Sequence, residues 1–583
     1  AGLCRRSPNK RPYIALLRQS MLLALSAAAS SLLVASSAWP RPCAARRRAL
    51  SPSLAVEQTV RDSPSFGAAL FGIAVDQSPW QYMLSMRRQG YGGITKVPLG
   101  PFGGDFYFLL EPDALKQVLL EDAEEYFPRR YSVPLFAVLE LDRGIVYEQG
   151  KRHKRQKRLC IPSFEQGRSM ASFLVAVQEE ADVLSREWRA RAGADGKVSL
   201  DCYAEMRRLT LSVILRVTFG LGEKGREFKE SAALSDTIAA YLEAIVATAN
   251  ELPPLWSISP ALSPNYRRVT AQLLPRLRAL VAEVVAEGRS ADDGVGAGGS
   301  GGREEAGGGE EAGGGGRREA PSEARSEARG TDDKSDLLSL LIRDGSLTDE
   351  DIRAVLFDLV IAGSDTTAST LTAALFLLHE PRHAPQRAAA LAEVRGVDLL
   401  SLSLDEVRGT LPYLTAVARE VLRLYPPVPF VGRTSLEECT VGGLVVPQGG
   451  TLCFSPYALG RDPASWGGGG APPDGFWRAP GSGPERTAEE FANAFAPERW
   501  IEDPGLGGAP SNFCWLPFGA GPRGCLGTRL GLTEVVLGTA LLLQRFDFAF
   551  ERDDRPLQYK YDLTLNLQGT ALCTAAVKSD WRC

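Results

Sequence analysis

The stretch FCWLPFGAGPRGCLG, residues 513–527, decides how the rest of the chain is read. Cys525 sits in a glycine-rich loop directly ahead of TRLGLTEVVLGTALLLQRF, 528–546, which has the apolar periodicity of a helix. A thiolate at a helix N-terminus is favoured by the helix dipole and by free backbone N–H groups. Gly519, Gly521, Gly524 and Gly527 let the backbone fold tightly and come close to a large planar ligand. Arg523 adds a fixed cation. A cysteine alone in such a loop reads equally well as a buried thiol in a turn, so the positions around it carry the decision.

Phe518, Gly521, Arg523, Cys525 and Gly527 fill the pattern F-x-x-G-x-R-x-C-x-G. This resembles the haem-binding loop of the cytochrome P450 monooxygenases. The resemblance extends from about Gly67 to the end of the chain. It implies a mainly α fold with small β-sheets (α+β), one large helical P450-like domain over 67–583. It also implies haem b, iron protoporphyrin IX, with Cys525 as the iron ligand and Phe518, Gly519 and Gly527 in the loop that cradles it.

A second element is LFDLVIAGSDTTASTLTAALFLL, 356–378, an apolar helix with small and polar residues at its centre. Polar groups in such a helix are costly unless they are used. The resemblance makes it the oxygen-activating helix, through Ala362, Gly363, Asp365, Thr366 and Thr367. Gly363 would leave room for dioxygen, Thr366 would hydrogen-bond the distal oxygen, and Asp365 would relay protons. In EVLR, Glu420 and Arg423 stand three apart on one helix face. A surface ion pair is the ordinary reading of that spacing. The resemblance instead implies a buried structural triad with Arg499 of the sequence PER. In GKRHKRQKRLCIPSF, 150–164, His153 and Lys157 stand where the family has Trp and Arg. They are expected at the haem propionates, together with Arg433. Lysine keeps the charge there but not the fork geometry. The run KRHKRQKR is expected to offer a basic face to an acidic electron donor.

Other motifs are excluded by context. HEPRH, 379–383, has the zinc-protease spacing, but Pro381 breaks the helix that would bring both histidines to one metal. It is read as a junction between two helices. GVGAGG, 294–299, has no strand before it and no apolar helix directly after it, which removes a dinucleotide site. Ten scattered cysteines without a C-x-x-C pair exclude a disulfide scaffold or zinc ribbon, and a net charge of −4 gives no reason to expect nucleic acid.

Residues 1–50 hold a basic start, the apolar run MLLALSAAASSLLVASSAW (21–39) and an Arg/Ser-rich, acid-poor flank. They read as a membrane anchor or as a signal followed by a transit-like segment. The order resembles the two-part plastid address of algae with secondary plastids. A plastid membrane is the expected location, with the endoplasmic reticulum membrane as the other reading. A linker is expected at 51–66, and low-complexity insertions at 290–334 and 467–490. ITKVPLG and DFYFLLEP read as strands, and PDALKQVLLEDAEEYF, 112–127, as a helix.

The resemblance implies a monooxygenase that inserts one atom of O2 into a lipophilic small molecule. Electrons would come from a separate ferredoxin or NADPH-cytochrome P450 reductase. Peroxide isomerases or dehydratases of the same family usually lack the acid–alcohol pair that Asp365 and Thr366 keep; a non-enzymatic haem carrier is the remaining alternative. Residues 91–120 resemble, loosely, the carotenoid-hydroxylase branch, and a fatty acid is the competing substrate. Substrate-facing segments are expected at 132–143, before Ala362, and at 565–570. Deleting 294–330 should leave haem content and turnover unchanged, because the segment has almost no apolar side chains to join a core. Haem content after deletion checks this.

Overall fold

The computed structural model describes residues from 63 to 581, leaving out 73–77, 99–104, 220–230, 252–255, 287–336, 467–486, 503–512, 552–557 and scattered shorter positions. Expectations for 1–62 and for the 290–334 insertion lie outside the described residues.

Helices make most of the fold. The principal ones are α1 (Pro79–Arg88), α2 (Gly150–Glu165), α3 (Gly167–Arg191), α4 (Cys202–Phe219), α5 (Ser231–Ala249), and α6, which runs from Pro264 through a π turn at Val269–Leu273 to 283. Then follow α7 (Asp349–His379), α8 (Ala384–Val394), α9 (Pro412–Leu424) and α10 (Thr528–Arg545). The strands are β1 (Ile94–Pro98), β2 (Asp105–Leu109), β3 (Arg129–Arg130), β4 (Lys197–Asp201), β5 (Val431–Thr434), β6 (Cys439–Val441), β7 (Leu444–Val446), β8 (Thr451–Phe454), β9 (Phe546–Phe550), β10 (Gln558–Asp562), β11 (Thr564–Gln568) and β12 (Leu572–Val577). One sheet has the order β1-β2-β8-β5-β3; β4-β12-β9 form a second, and β6-β7 and β10-β11 are hairpins. Central β8 is buried on both faces, whereas β4 alternates out and in.

The helix expected over 112–127 is shorter than its pattern. Pro112–Lys116 passes into a π turn at Gln117–Glu121 and then into turns. A tertiary contact holds this end, because the Gln117 side-chain amide donates to Thr440 O at 2.9 Å. The insertion expected at 467–490 also ends early. Thr487 and Glu490 form a capping box on the helix Ala488–Asn493, so 487–490 belong to the fold.

Helix α7 is the axis of the larger core. Thr348 and Asp351 cap it reciprocally, and Thr367–Leu378 is buried on every side, which explains its apolar run without a membrane. It ends at His379; Pro381–His383 form a 3₁₀ turn, and α8 starts at Ala384. The histidines of HEPRH spend Nδ1 on backbone, donating to Leu375 O at 2.7 Å and to Leu377 O at 2.8 Å. Among the described residues no His/Cys/Asp/Glu cluster could hold a metal ion.

The carboxylate of Glu420 on α9 is fully buried and ties that helix to the 496–500 stretch. Arg423 grips it with two parallel bonds, Nε to Oε2 at 2.8 Å and Nη2 to Oε1 at 2.7 Å. Arg499 Nε, Trp500 Nε1 and the Ala496 N–H also donate to it, at 3.1, 2.9 and 2.9 Å. Arg423 further donates to the Ala494 carbonyl at 2.9 Å. Burial alone would raise the Glu420 carboxyl, but Arg423, Arg499 and the N–H donors outweigh it and hold the pKa at about 2, against an ordinary 4.5. A depressed carboxyl contributes stability that is complete above 4.5 and lost as pH falls toward 2. Glu420→Ala should leave two arginines buried without their partner, costing roughly 3–5 kcal/mol. Denaturant melts should show that loss at neutral pH, with a flatter fall in stability between pH 4.5 and 2 than the parent protein.

Candidate active site

The Cys525 loop is shaped by backbone. Cys525 N–H donates to Phe518 O at 2.9 Å and Gly519 N–H to Leu516 O at 3.0 Å. Gly521 has φ of +67°, and a Cβ there would lie 1.8 Å from Leu119 O, so only glycine fits. Cys525 is exposed at the end of the loop, with the bulk of the protein around it. That desolvation pushes the thiol up, and the Gly527 N–H, Arg130 and Lys157 offset it only in part. The helix dipole therefore does not by itself make a thiolate here. A bound metal does so outright.

A buried cationic cluster lies beside the loop. Arg130 on β3 stands directly across from Arg433 on β5. Like charges in that position are unfavourable unless an anion joins them. Arg523 and His153 are buried and Lys157 is half-buried, within electrostatic reach of these two. Burial, then Arg130 and Arg523, lower Arg433 to about 9. Burial, then Arg130, lower Arg523 to about 10. Burial, with the surrounding cations, lowers His153 to about 3, so its ring is neutral at physiological pH. Arg130 Nε and Arg523 Nη1 are buried with no hydrogen-bond partner. A planar group carrying two carboxylates beside a thiolate meets these requirements, so the residues present fit a haem. Arg130 is absent from the sequence reading. Its signal, RR in a two-residue strand, acquires meaning only through the pairing with Arg433.

Lys157 takes another position from the one expected. Its Nζ donates to the carbonyls of Pro522 and Gly524 at 2.7 and 3.0 Å. It braces the cysteine loop from behind. Arg523 Nε donates to Pro128 O at 3.1 Å and Nη2 to Gln149 Oε1 at 2.6 Å.

On α7, Ala354, Phe357, Ile361, Ala362 and Thr366 are half-buried at helical spacing, an open stripe on a mostly buried helix. Thr366 Oγ1 donates to Ala362 O at 2.6 Å, a bond back along the helix. Asp365 is buried, and both its oxygens accept hydroxyls, Oδ1 from Tyr203 on α4 and Oδ2 from Thr564 on β11. Neither partner is visible in the sequence, 162 and 199 residues away. A Cβ on Gly363 would lie 3.0 Å from Ile214, so its missing side chain lets α4 cross closely rather than clearing the open stripe. Helix α10 packs on α7, and Gly531 and Gly538 bring it near Thr367 and Leu371.

An exposed cysteine in a glycine-rich loop, a nest of buried cations and an alcohol-bearing open helix face together describe a haem-thiolate protein. The chain belongs to the cytochrome P450 family and is a monooxygenase: the family's model matches residues 62–468 and 487–573. It is 27% identical to cyclooctatin synthase of Streptomyces melanosporofaciens over 490 residues, 81% of this chain and 85% of that protein. It is 24% identical over 485 residues to the chloroplastic protein LUTEIN DEFICIENT 5 of Arabidopsis thaliana, covering 82% and 70% of the two chains. With premnaspirodiene oxygenase of Hyoscyamus muticus it shares 36% identity over 259 residues, 43% and 45%. Monooxygenases of this family use O2, a lipophilic substrate and a redox partner.

Removing one charge-assisted contact typically costs about 1.5–3 kcal/mol. Arg130→Leu should therefore speed haem loss to a scavenging apoprotein by roughly ten- to hundredfold. Stopped-flow haem transfer checks this; an unchanged rate would place Arg130 outside the cradle.

Proposed function

We propose that the chain hydroxylates or epoxidises an elongated lipophilic substrate of terpenoid or carotenoid type, with a fatty acid as the competing class. The observation that carries this reading is the Thr366–Asp365 pair beside the open stripe of α7. Cys525 would hold haem b, which would supply the oxygen-activating chemistry with the thiolate as electron donor to its iron.

The chain's own groups set the conditions. Thr366 Oγ1, one rotation from Ala362 O, can hold a proton over the open stripe. Asp365, fixed by Tyr203 and Thr564, keeps a proton-accepting carboxylate on the same turn. Arg130, Arg433, Arg523 and neutral His153 would hold the two propionates, while Lys157 and Gly527 hold the cysteine loop. Glu420, Arg423 and Arg499 act structurally, below the loop.

Electrons arrive from a separate ferredoxin or NADPH-cytochrome P450 reductase on α2. Lys151, Lys154, Arg155 and Arg158 are exposed there. Lys154 pairs with Glu124 at 2.9 Å, and Arg152 with Glu148 at 3.0 Å. Lys151, Arg155 and Arg158 make no ion pair among the described residues and form the free part of that face. Residues 1–50 place the enzyme at a membrane, that of a plastid in preference to the endoplasmic reticulum. The chloroplastic relative and the terpenoid oxygenases among the relatives support location and substrate class. Residues 67–583 form one domain, with 290–334 and 467–486 as insertions.

With a supplied reductase, the protein should consume O2 at the expense of NADPH and give the family's carbon monoxide band when reduced. Thr366→Ala should keep that band while more oxygen leaves as peroxide per NADPH consumed. Unchanged product yield in the variant would remove Thr366 from proton control.

A further inference from the structure

A cavity of about 430 Å³ opens between residues 139–144, helix α6 and the first half of α7. Leu139, Leu141, Leu274, Val281 and Phe357 make its walls largely apolar. One acid, Asp358, stands among them, 9% exposed. Its Oδ2 accepts the Val146 N–H at 2.8 Å. A Cβ on Gly144 would come within 2.3 Å of this carboxyl, so the backbone there lies against the acid only because that position is glycine. Burial pushes the carboxyl up to about 7, against the pull of the Val146 N–H and Arg130. Close by, the Tyr241 hydroxyl is buried without a hydrogen-bond partner, and its ring meets Phe357 edge-on at 5.8 Å.

The setting selects the chemistry of a ligand. Exposed Arg143, Arg278 and Arg353 line the mouth with a single acid, Glu350, which pairs with Arg143. This rim repels an ammonium group. A permanent anion would meet the buried acid. A neutral hydroxyl suits both forms of Asp358: it donates to the carboxylate and accepts from the carboxylic acid. The same helix connects the cavity to the reaction centre. The open stripe Ala354, Phe357, Ile361, Ala362 and Thr366 starts at the cavity. Asp358 precedes Thr366 by eight residues, about 12 Å of helix at 1.5 Å per residue.

We propose that Asp358 binds a hydroxyl at one end of an elongated lipophilic substrate whose far end lies beside Thr366. The enzyme then acts on a lipid that is already an alcohol, and a reaction that installs or unmasks that hydroxyl must precede it. This rests on the monooxygenase reading above and narrows its substrate class.

The test uses full-length holoprotein and three probes of one skeleton: farnesol, farnesene and farnesylamine. Dissociation constants come from the spin-state shift and, independently, from the ligand-induced shift in melting temperature. Farnesol should bind roughly ten- to hundredfold tighter than farnesene, the range for one hydrogen bond to a carboxyl group. Asp358→Leu should abolish that preference. Ala354→Leu narrows the cavity without touching the Val146 bond and should also abolish it, which decides the matter if the first variant does not fold. Equal or undetectable binding of farnesol and farnesene by the parent protein overturns the proposal. So does a preference that survives in either variant, or tighter binding of farnesylamine. If the parent lacks the carbon monoxide band, the monooxygenase reading fails instead, and the melting shifts still decide the role of Asp358.

Discussion

One buried carboxylate organises the cysteine side of this molecule. Five N–H groups converge on Glu420, from its own helix, from Arg499, from Trp500 and from the backbone at Ala496. Three of the donors belong to the 496–500 stretch, so satisfying the charge fixes where that stretch lies against α9. The alternative, an ionised group in the core without partners, costs far more than any local rearrangement gains. Trp466, Trp500 and Trp515 pack in series beside this hub, and Trp515 meets Phe518 of the cysteine loop edge-on at 6.1 Å. The position of the loop is thus inherited from an ion-pair network that never touches the reaction.

The cationic cluster works in the opposite sense. Where Glu420 is oversupplied with donors, Arg130, Arg433 and Arg523 repel one another, Glu148 offsets the burial of Arg523 only in part, and two of their N–H groups have no partner. A protein tolerates such a concentration of buried positive charge when a dianionic ligand completes it. The pairing of β3 with β5 imposes the juxtaposition, since strand register brings Arg130 opposite Arg433 whatever their charges prefer.

Helix α7 joins these halves. From Thr367 to Leu378 it is buried on all sides, and some of its hydroxyls return to the helix backbone, as Ser364 does to Val360 O and Thr370 to Thr366 O. Its N-terminal half leaves one stripe open, leading from the Asp358 cavity to Thr366. Asp365 ties the helix to α4 on one side and to the β10-β11 hairpin on the other, and Ser369 adds a second tie by donating to Leu565 O at 2.8 Å. The hairpin that borders the expected substrate space is therefore held by the same helix that carries the alcohol.

The parts legible in the sequence are those whose partners lie within one helix turn or one loop. The spacing around Cys525 specifies a tight turn ahead of a helix. Glu420 and Arg423 meet because three residues on a helix bring them together, and Pro381 ends α7 wherever α7 packs. The parts that needed the folded chain are long-range. Arg130 becomes a candidate haem contact only through strand register; Tyr203 and Thr564 reach Asp365 across well over a hundred residues. Lys157 bonds the loop carbonyls because the tertiary fold places Pro522 and Gly524 beside α2. Gly363 owes its size to the crossing of α4. Local spacing encodes geometry that backbone stereochemistry enforces at short range. The partners of a buried charge are set by whatever elements the core packing brings beside it, and that choice exists only in three dimensions.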